Sequence, residues 1–523
     1  MYKHIGHIAR ITACVAAASL LAGCIAVGPD FLDPAAPPVQ RYTKETLATR
    51  TASTDAPTGA AQRFVQSRDL PQQWWRLFRS RGLNSLVERA LRNNPNLQST
   101  MSTLRASKEA VYAQEGKYFP LVEGNFNPTR QRTSSSISPV PSNGATVFSL
   151  YTAQVLVSYT FDVWGLNRRT VESLQAMADN QRFQVEAAYL TLTSNLAIAV
   201  ITDASLRGQI AATMEIIRLN RQALDTLRRQ FETGYASRND VALQEAALAQ
   251  VEATLPPLRK QLQQNRNLLT ALIGSYAGQE EPRETFKLED FSLPIDLPLS
   301  VPSKLIEQRP DVRQAQETLH SASAQIGVAT ANMLPSFTID SNSAGFASTT
   351  LATLLSPSNA FWNLAGNVTH TVFDAGTLLH TLRGNYASYD AAAWTYKDTV
   401  VTAVQNVADA IRAIQNDADA LKAARDFERA AKVSFDLARQ QVEAGNANIL
   451  FLLTAQQTYL NALNAVVVAR AARLSDTTAL FQALGGGWWN RVEPPTERIL
   501  NVGTGQAATL VDGPTLMDIY GLY

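Results

Sequence analysis

Two stretches of this chain place apolar residues at alternating steps of four and three. In the first, Leu192, Leu196, Ala199, Asp203, Leu206, Ile210, Thr213, Ile217, Asn220, Leu224, Leu227 and Phe231 follow that rhythm, and nine of the twelve are apolar. Val400, Val404, Val407, Ile411, Ile414, Ala418 and Leu421 repeat it in the second. A 3.5-residue repeat keeps one seam of a helix on one partner, so the pattern predicts coiled-coil helices. Leu166 to Phe231 is 66 residues without proline and with one glycine, Gly208, and Thr377 to Ala444 is 68 residues without proline. At 1.5 Å per residue each would reach roughly 100 Å. Two shorter helices interrupted near Gly208 are the alternative for the first stretch.

Other stretches alternate with a period of two. Val147, Tyr151, Val155, Val157, Tyr159 and Phe161 interleave with Thr152, Gln154, Ser158 and Thr160. Trp362, Leu364, Val368 and Val372 interleave with Asn363, Asn367, Thr369 and Thr371. Such strands have one oily and one wet face, as in a membrane barrel or at the edge of a soluble sandwich. With weaker partners near 121–132 and 336–347 the chain offers four strands. A closed membrane barrel needs at least about 8. One chain cannot close a barrel, so the membrane reading forces an oligomer, of a size the strand count alone leaves open.

The chain also repeats itself. Pro95 to Pro120 and Pro310 to Pro335 are both 25 residues apart. The Phe-Asp pairs of "SYTFDVWG" and "HTVFDAG", at 161–162 and 373–374, are 212 residues apart, and Gly234 and Gly445 are 211 apart. Three landmarks that share one offset within a few residues mark an internal duplication. The expected organisation is a leader at 1–23, an N-terminal segment at 24–81, a first repeat at 82–275, a linker at 276–301, a second repeat at 302–484 and a tail at 485–523. Asp162 and Gly165, and Asp374 and Gly376, mark turns at the strand ends; Gly234 and Gly445 mark turns between helices. Pro256-Pro257 predicts a kink or break in the helix after Gly234, because proline removes a backbone donor and clashes with the preceding turn.

The first residues carry Lys3 and Arg10, then an apolar run to Leu21, then Leu21-Ala22-Gly23-Cys24. This is a charged start, a short oily core and a small-residue cleavage site, in the order of a bacterial lipobox, so Cys24 is expected to become a lipid-bearing first residue. No other covalent group or cofactor is expected. Cys14 is the only other cysteine and would leave with the leader. Without Lys3 and Arg10 the balance is 44 basic to 45 acidic residues, which argues against a nucleic-acid partner. His320, His370 and His380 have no metal-ligand spacing, and no catalytic triad order or phosphate loop stands out, so no enzyme is expected.

The start "CIAVGPDFLDP", the segment "WWRLFRSRGLNSLVERALRNNPNL", the two Phe-Asp turns and the two glycine-centred helix turns, in that order and spacing, resemble the TolC-like outer-membrane factors. The lipoprotein branch typified by OprM and NodT is the most similar. The resemblance spans Cys24 to about Leu484. It implies an internally duplicated fold with a membrane β-barrel and a long α-helical coiled-coil barrel. It also implies a homotrimer with 12 strands in one barrel. The partners it implies are outer-membrane lipid, a periplasmic adaptor and an inner-membrane pump, most often of the RND type. The function it implies is a passive exit duct for drugs or other small molecules. A duct for type I protein secretion is the alternative within the fold; a structural coiled-coil surface lipoprotein is the alternative outside it, though a stalk needs no amphipathic strands. The family's entrance residues follow the helix-turn glycines. Asp240 lies six residues after Gly234, where three copies would ring the axis with carboxylates; a helix-capping role is the plainer reading. In the second repeat the aperture candidates are Asn448, Phe451 and Thr454, with Phe451 and Thr454 standing where the family commonly has aspartate. Phe451 is expected either to form an apolar constriction or to pack in a helix seam.

Overall fold

The computed structural model describes residues 26–491, except 36–37, 40, 46–47, 67, 133–146, 279–281, 283 and 445, together with 498–500 and 507–509. Cys24 and Gly445 therefore lie outside the described residues. The elements run β1 (Arg63–Gln66), α1 (Arg81–Asn93), α2 (Pro95–Glu115), β2 (Leu121–Arg132), β3 (Val147–Phe161), α3 (Leu166–Glu232) and α4 (Arg238–Leu272). They continue β4 (Asp296–Leu299), α5 (Pro302–Gln308), α6 (Pro310–Ala331), β5 (Ser336–Ser348), β6 (Ala360–Thr369), α7 (Thr377–Glu443), α8 (Ile449–Ala483), β7 (Arg498–Leu500) and β8 (Ala507–Thr509). The duplication is literal: α3 and α7 each have 67 residues, and α4 and α8 each have 35. Pro95 and Pro310 each open a helix at its first residue, where the missing N–H costs nothing.

Two compact units make up the chain. One holds residues up to 34 with 105–180 and 315–396. Its sheet is antiparallel in the order β2-β3-β5-β6. Leu121 pairs with Ser158, Tyr159 with Ile339, and Phe337 with Val368. β2 and β6 are exposed along nearly their whole length. On β6, Trp362, Leu364 and Val368 are 80%, 65% and 66% exposed, with Asn363 and Asn367 between them. An apolar row left open in this way suits lipid rather than water. In the same unit the Arg169 guanidinium, almost fully buried, gathers the segment that follows position 25. Its Nε donates to Val27 O at 3.0 Å, and its Nη2 to Gly28 O at 3.3 Å and Asp30 Oδ1 at 2.7 Å. Gly28 takes a φ of +94° and packs on Gly327 so closely that a Cβ would fall 2.4 Å from the Gly327 Cα. Phe31 stacks on His320 at 4.3 Å, and His320 Nε2 lies 3.2 Å from Glu172 Oε1.

The other unit holds 35–104, 181–314 and 397 onward. Trp74 and Trp75 are buried and meet Phe78, Phe481 and Tyr189 at ring distances of 5.7–6.5 Å. Both Trp74 and Trp75 are therefore core residues, and Trp489 donates to Asp69 Oδ1 at 3.0 Å. β1 and β4 pair in parallel, so the proline-rich linker contains a strand that its composition hid. Of the twelve seam positions on α3, ten are buried; Ile210 is half-buried and Phe231 exposed.

The long helix expected over 166–231 is present, and its alternative is excluded. α3 is not interrupted at Gly208; a Cβ there would come within 3.0 Å of Val467 Cγ1, so the glycine admits α8 at close range. Nor does Pro256-Pro257 break α4, which runs through both prolines. Both face solvent, where water can bond the carbonyls that lose their donors.

Candidate functional site

The turns that join α3 to α4 and α7 to α8 are built alike. α3 ends in a six-to-one bond, Tyr235 N–H to Gln230 O at 2.8 Å, with Gly234 at φ +80°. α7 ends in the same bond, Asn446 N–H to Gln441 O at 2.8 Å. This closure satisfies the last carbonyls and reverses the chain. Both turns then rest on one apolar cluster: Leu224 and Leu227 of α3, Val241 of α4, Phe435 and Ala438 of α7, and Ile449, Leu452 and Ala455 of α8.

The starts of α4 and α8 differ. Ser237 caps α4: its Oγ accepts from Asp240 N at 3.2 Å, while Asp240 Oδ2 accepts from Ser237 N at 3.0 Å and from Ser237 Oγ at 2.6 Å. Asp240 closes a capping box. In the second repeat Asn448 caps α8 by accepting from Leu450 N at 3.0 Å. Phe451, 211 residues after Asp240, occupies the position of the closing acid and has no group with which to reach back. Phe451 is 49% exposed and stands outside the cluster formed by its neighbours Ile449 and Leu452. Thr454 is exposed one turn on, with its hydroxyl bonded to Leu450 O at 2.9 Å. Asp240, Asn448, Phe451 and Thr454 thus all lie within the first turn and a half of the two returning helices.

The hairpins are also fastened differently. Arg221–Glu252 at 2.7 Å and Arg228–Glu245 at 2.8 Å bridge α3 and α4, and the Arg228 guanidinium holds the Glu245 carboxyl below its usual range. Between α7 and α8 the tie is a stack of Phe435 on Tyr459, 5.5 Å between centroids. Sequence reading missed a buried polar layer just behind the tips: Gln244 Nε2 donates to Asn220 Oδ1 at 2.9 Å, and Gln456 stands nearly fully buried on α8. The polar seam position at Asn220 was the available signal.

The Phe-Asp turns are helix starts. Asp162 Oδ1 and Oδ2 accept from Asn167 N at 2.8 Å and Arg168 N at 2.9 Å, and Gly165 follows at φ +77°. Asp374 Oδ1 and Oδ2 accept from Gly376 N at 2.9 Å and Leu378 N at 2.7 Å, with Gly376 at φ +89°. Those N–H groups hold the Asp374 carboxyl below the ordinary carboxylate range. Among the described residues no cluster of His, Cys, Asp and Glu could hold a metal ion.

A duplicated chain with two long-helix hairpins and an open four-stranded sheet has the make-up of a TolC-like channel protomer. The family model described as "Outer membrane efflux protein" matches residues 86–275 and 301–486, and the chain belongs to that family. It is similar to the probable efflux pump outer membrane protein TtgC of Pseudomonas putida, 27% identical over 481 residues, covering 91% of this chain and 95% of that protein. It is also similar to the pyoverdine export outer membrane protein OpmQ of Pseudomonas aeruginosa, 28% identical over 433 residues, covering 80% of this chain and 88% of that one. The fold matches the CmeC outer membrane channel of Campylobacter jejuni with a TM-score of 0.78, at 20% identity, over 88% of this chain and 95% of that chain. The protein is an outer-membrane efflux channel, and its family is one of channels that work with a periplasmic adaptor and an inner-membrane pump.

Proposed function

We propose that three copies of this chain close a single barrel, and that the homotrimer is the passive exit duct for small molecules delivered by an RND-type pump through its adaptor. The observation that carries this is the open sheet. Among the described residues β2 pairs only with β3, and β6 only with β5. Open strand edges are not tolerated in hydrocarbon, so other copies would have to cover them, and four strands are too few to close alone. Three copies would supply 12 strands. Small-molecule cargo is supported by relatives named for efflux and for pyoverdine export.

Cys24 would carry the lipid that anchors the chain. The hold of Arg169 on Val27, Gly28 and Asp30 supports this reading, because a fixed segment three residues on would transmit the anchor to the folded chain. At the tips, the exposed Phe451 would narrow the entrance, with Asn448 and Thr454 beside it and Asp240 opposite. The test is reconstitution of the purified protein. A trimer that survives mild detergent, migrates as a monomer after heating and conducts ions in a planar bilayer is the expected result. A monomer that neither assembles nor conducts would overturn the proposal.

A further inference from the structure

Behind the tips, the two hairpins carry opposite ratios of charge. In the first, the fully buried Asp203 carboxylate lies 2.6 Å from Arg207 Nε and 3.9 Å from Arg266 Nη1, one acid between two guanidiniums. In the second, one guanidinium, Arg473 of α8, faces Asp417 of α7, and Asp417 in turn meets a second acid, Asp476 of α8. Position 265, which is 211 before Asp476, is Asn265, whose amide donates to Ala199 O at 2.8 Å. The first repeat has no second carboxylate at that place.

Arg473 is 1% exposed. Its Nη1 donates to Thr58 O at 2.8 Å, and its Nη2 to Ala60 O at 3.0 Å and Gln62 Oε1 at 3.1 Å. All three acceptors are uncharged. Gln62, also fully buried, passes the tie on to Pro294 O at 3.0 Å and Thr477 Oγ1 at 3.1 Å. One guanidinium thus fastens the N-terminal segment to α8, and Gln62 fastens both to the linker. A buried cation needs a counter-charge. Asp417 and Asp476 can supply it and lie within hydrogen-bonding reach of each other. Asp417 Oδ2 is buried without a donor. Two bare carboxylates so placed would repel and carry one negative charge too many. One proton between them gives Asp417 Oδ2 a partner and leaves a single negative charge against the single positive one.

We propose that Asp417 and Asp476 form a proton-binding site, and that the shared proton stabilises the Arg473 clasp on Thr58–Gln62 and weakens that clasp when it leaves. Burial and the neighbouring Asp476 carboxylate push the Asp417 carboxyl up to about 7, opposed by Arg473. Those two residues are the charged groups that face Asp417 from α8. Among the described residues, the groups of the N-terminal segment that bond Arg473 are the Thr58 and Ala60 carbonyls, the Gln62 amide and the Thr51 hydroxyl. Further along α7, Arg425 and Glu428 pair with each other. The folded pKa is above the ordinary one, so the stabilisation is complete in acid and is lost as pH rises from about 4 through about 7.

The test uses the full-length protein in detergent, from about pH 5 to about pH 9, read by the infrared carbonyl stretch of protonated carboxyls and by melting temperature. The wild type should show a protonated-carboxyl band that titrates away near neutrality, with a melting temperature that falls over the same range. Asp417→Asn and Asp476→Asn should each remove the band and flatten the fall. Asp225→Asn, on an exposed face of α3, should change neither. Arg473→Gln should move the titration to higher pH. Absence of the band in the wild type, or its persistence in both variants, would overturn the proposal.

Discussion

Ser237 and Asp240 hold each other at the start of α4, hydroxyl to carboxylate at 2.6 Å and backbone to side chain in both directions. The same acid that resemblance places at an aperture is therefore a structural member of its own helix start. Asp240→Ala should cost about 1 kcal/mol of local stability. Hydrogen exchange of the amides at 238–241 is the measurement: faster exchange there, with the rest of α4 unchanged, is the expected outcome.

Phe451 stands where a capping acid stands in the other repeat. Phe451→Asp should complete a capping box with Asn448 and stabilise the start of α8 by roughly 0.5 kcal/mol. It should also raise single-channel conductance, because an exposed aromatic ring leaves the tip. A faster-melting α8 would contradict the first outcome, and unchanged conductance the second.

Arg491 and Glu186 form a buried pair, 3.0 Å apart at Nη1 and Oε1, with Arg491 also lying over the Tyr189 ring at 4.2 Å. Burial raises the Glu186 carboxyl despite its partner. Arg491→Ala would leave that carboxyl buried and unpaired, at a cost of about 3 kcal/mol. Denaturant melts of wild type and variant, compared at equal slope, check the figure.

Gly28→Ala should release the segment after position 25, since its left-handed backbone and its contact with Gly327 both exclude a side chain. Limited proteolysis should cut the variant within 26–34 at protease levels that spare the wild type. Resistance equal to wild type would show that the segment can be seated another way.

Asp374 works by charge. Its carboxyl is held below the usual range by the Leu378 and Gly376 N–H groups, so the cap is intact above about pH 4 and is lost as pH falls through the depressed value. Asp374→Asn should weaken the start of α7 at neutral pH and lose less on acidification, as read by melting temperature against pH.

Much of this was legible in the sequence. The 3.5-residue seams, the two-residue alternations and the repeated proline spacing gave the long helices, the four strands and the duplication, because each follows from which face of an element is buried. Asp162 and Asp374 were seen as turn markers, but their work as helix caps depends on backbone N–H groups that a sequence does not place. A break at Gly208 stood as the alternative because a glycine's cost is local and its benefit, room for Val467, lies 259 residues away. Pro256-Pro257 does not end α4, because water on that exposed face can bond the carbonyls that lose their donors. The clasp of Arg473 on Thr58, Ala60 and Gln62 joins segments more than 400 residues apart and left no periodic trace.

The chain belongs to the outer-membrane side of an efflux system. The direct measurement is accumulation of a fluorescent efflux dye in cells lacking the gene, with wild-type and Cys24→Ala copies added back. Dye should build up in the deletant and the wild-type copy should restore expulsion, while Cys24→Ala reports what a lipid at that position would add. Dye handling that is unchanged by deletion, in cells with no second outer-membrane duct, would contradict the proposed exit role.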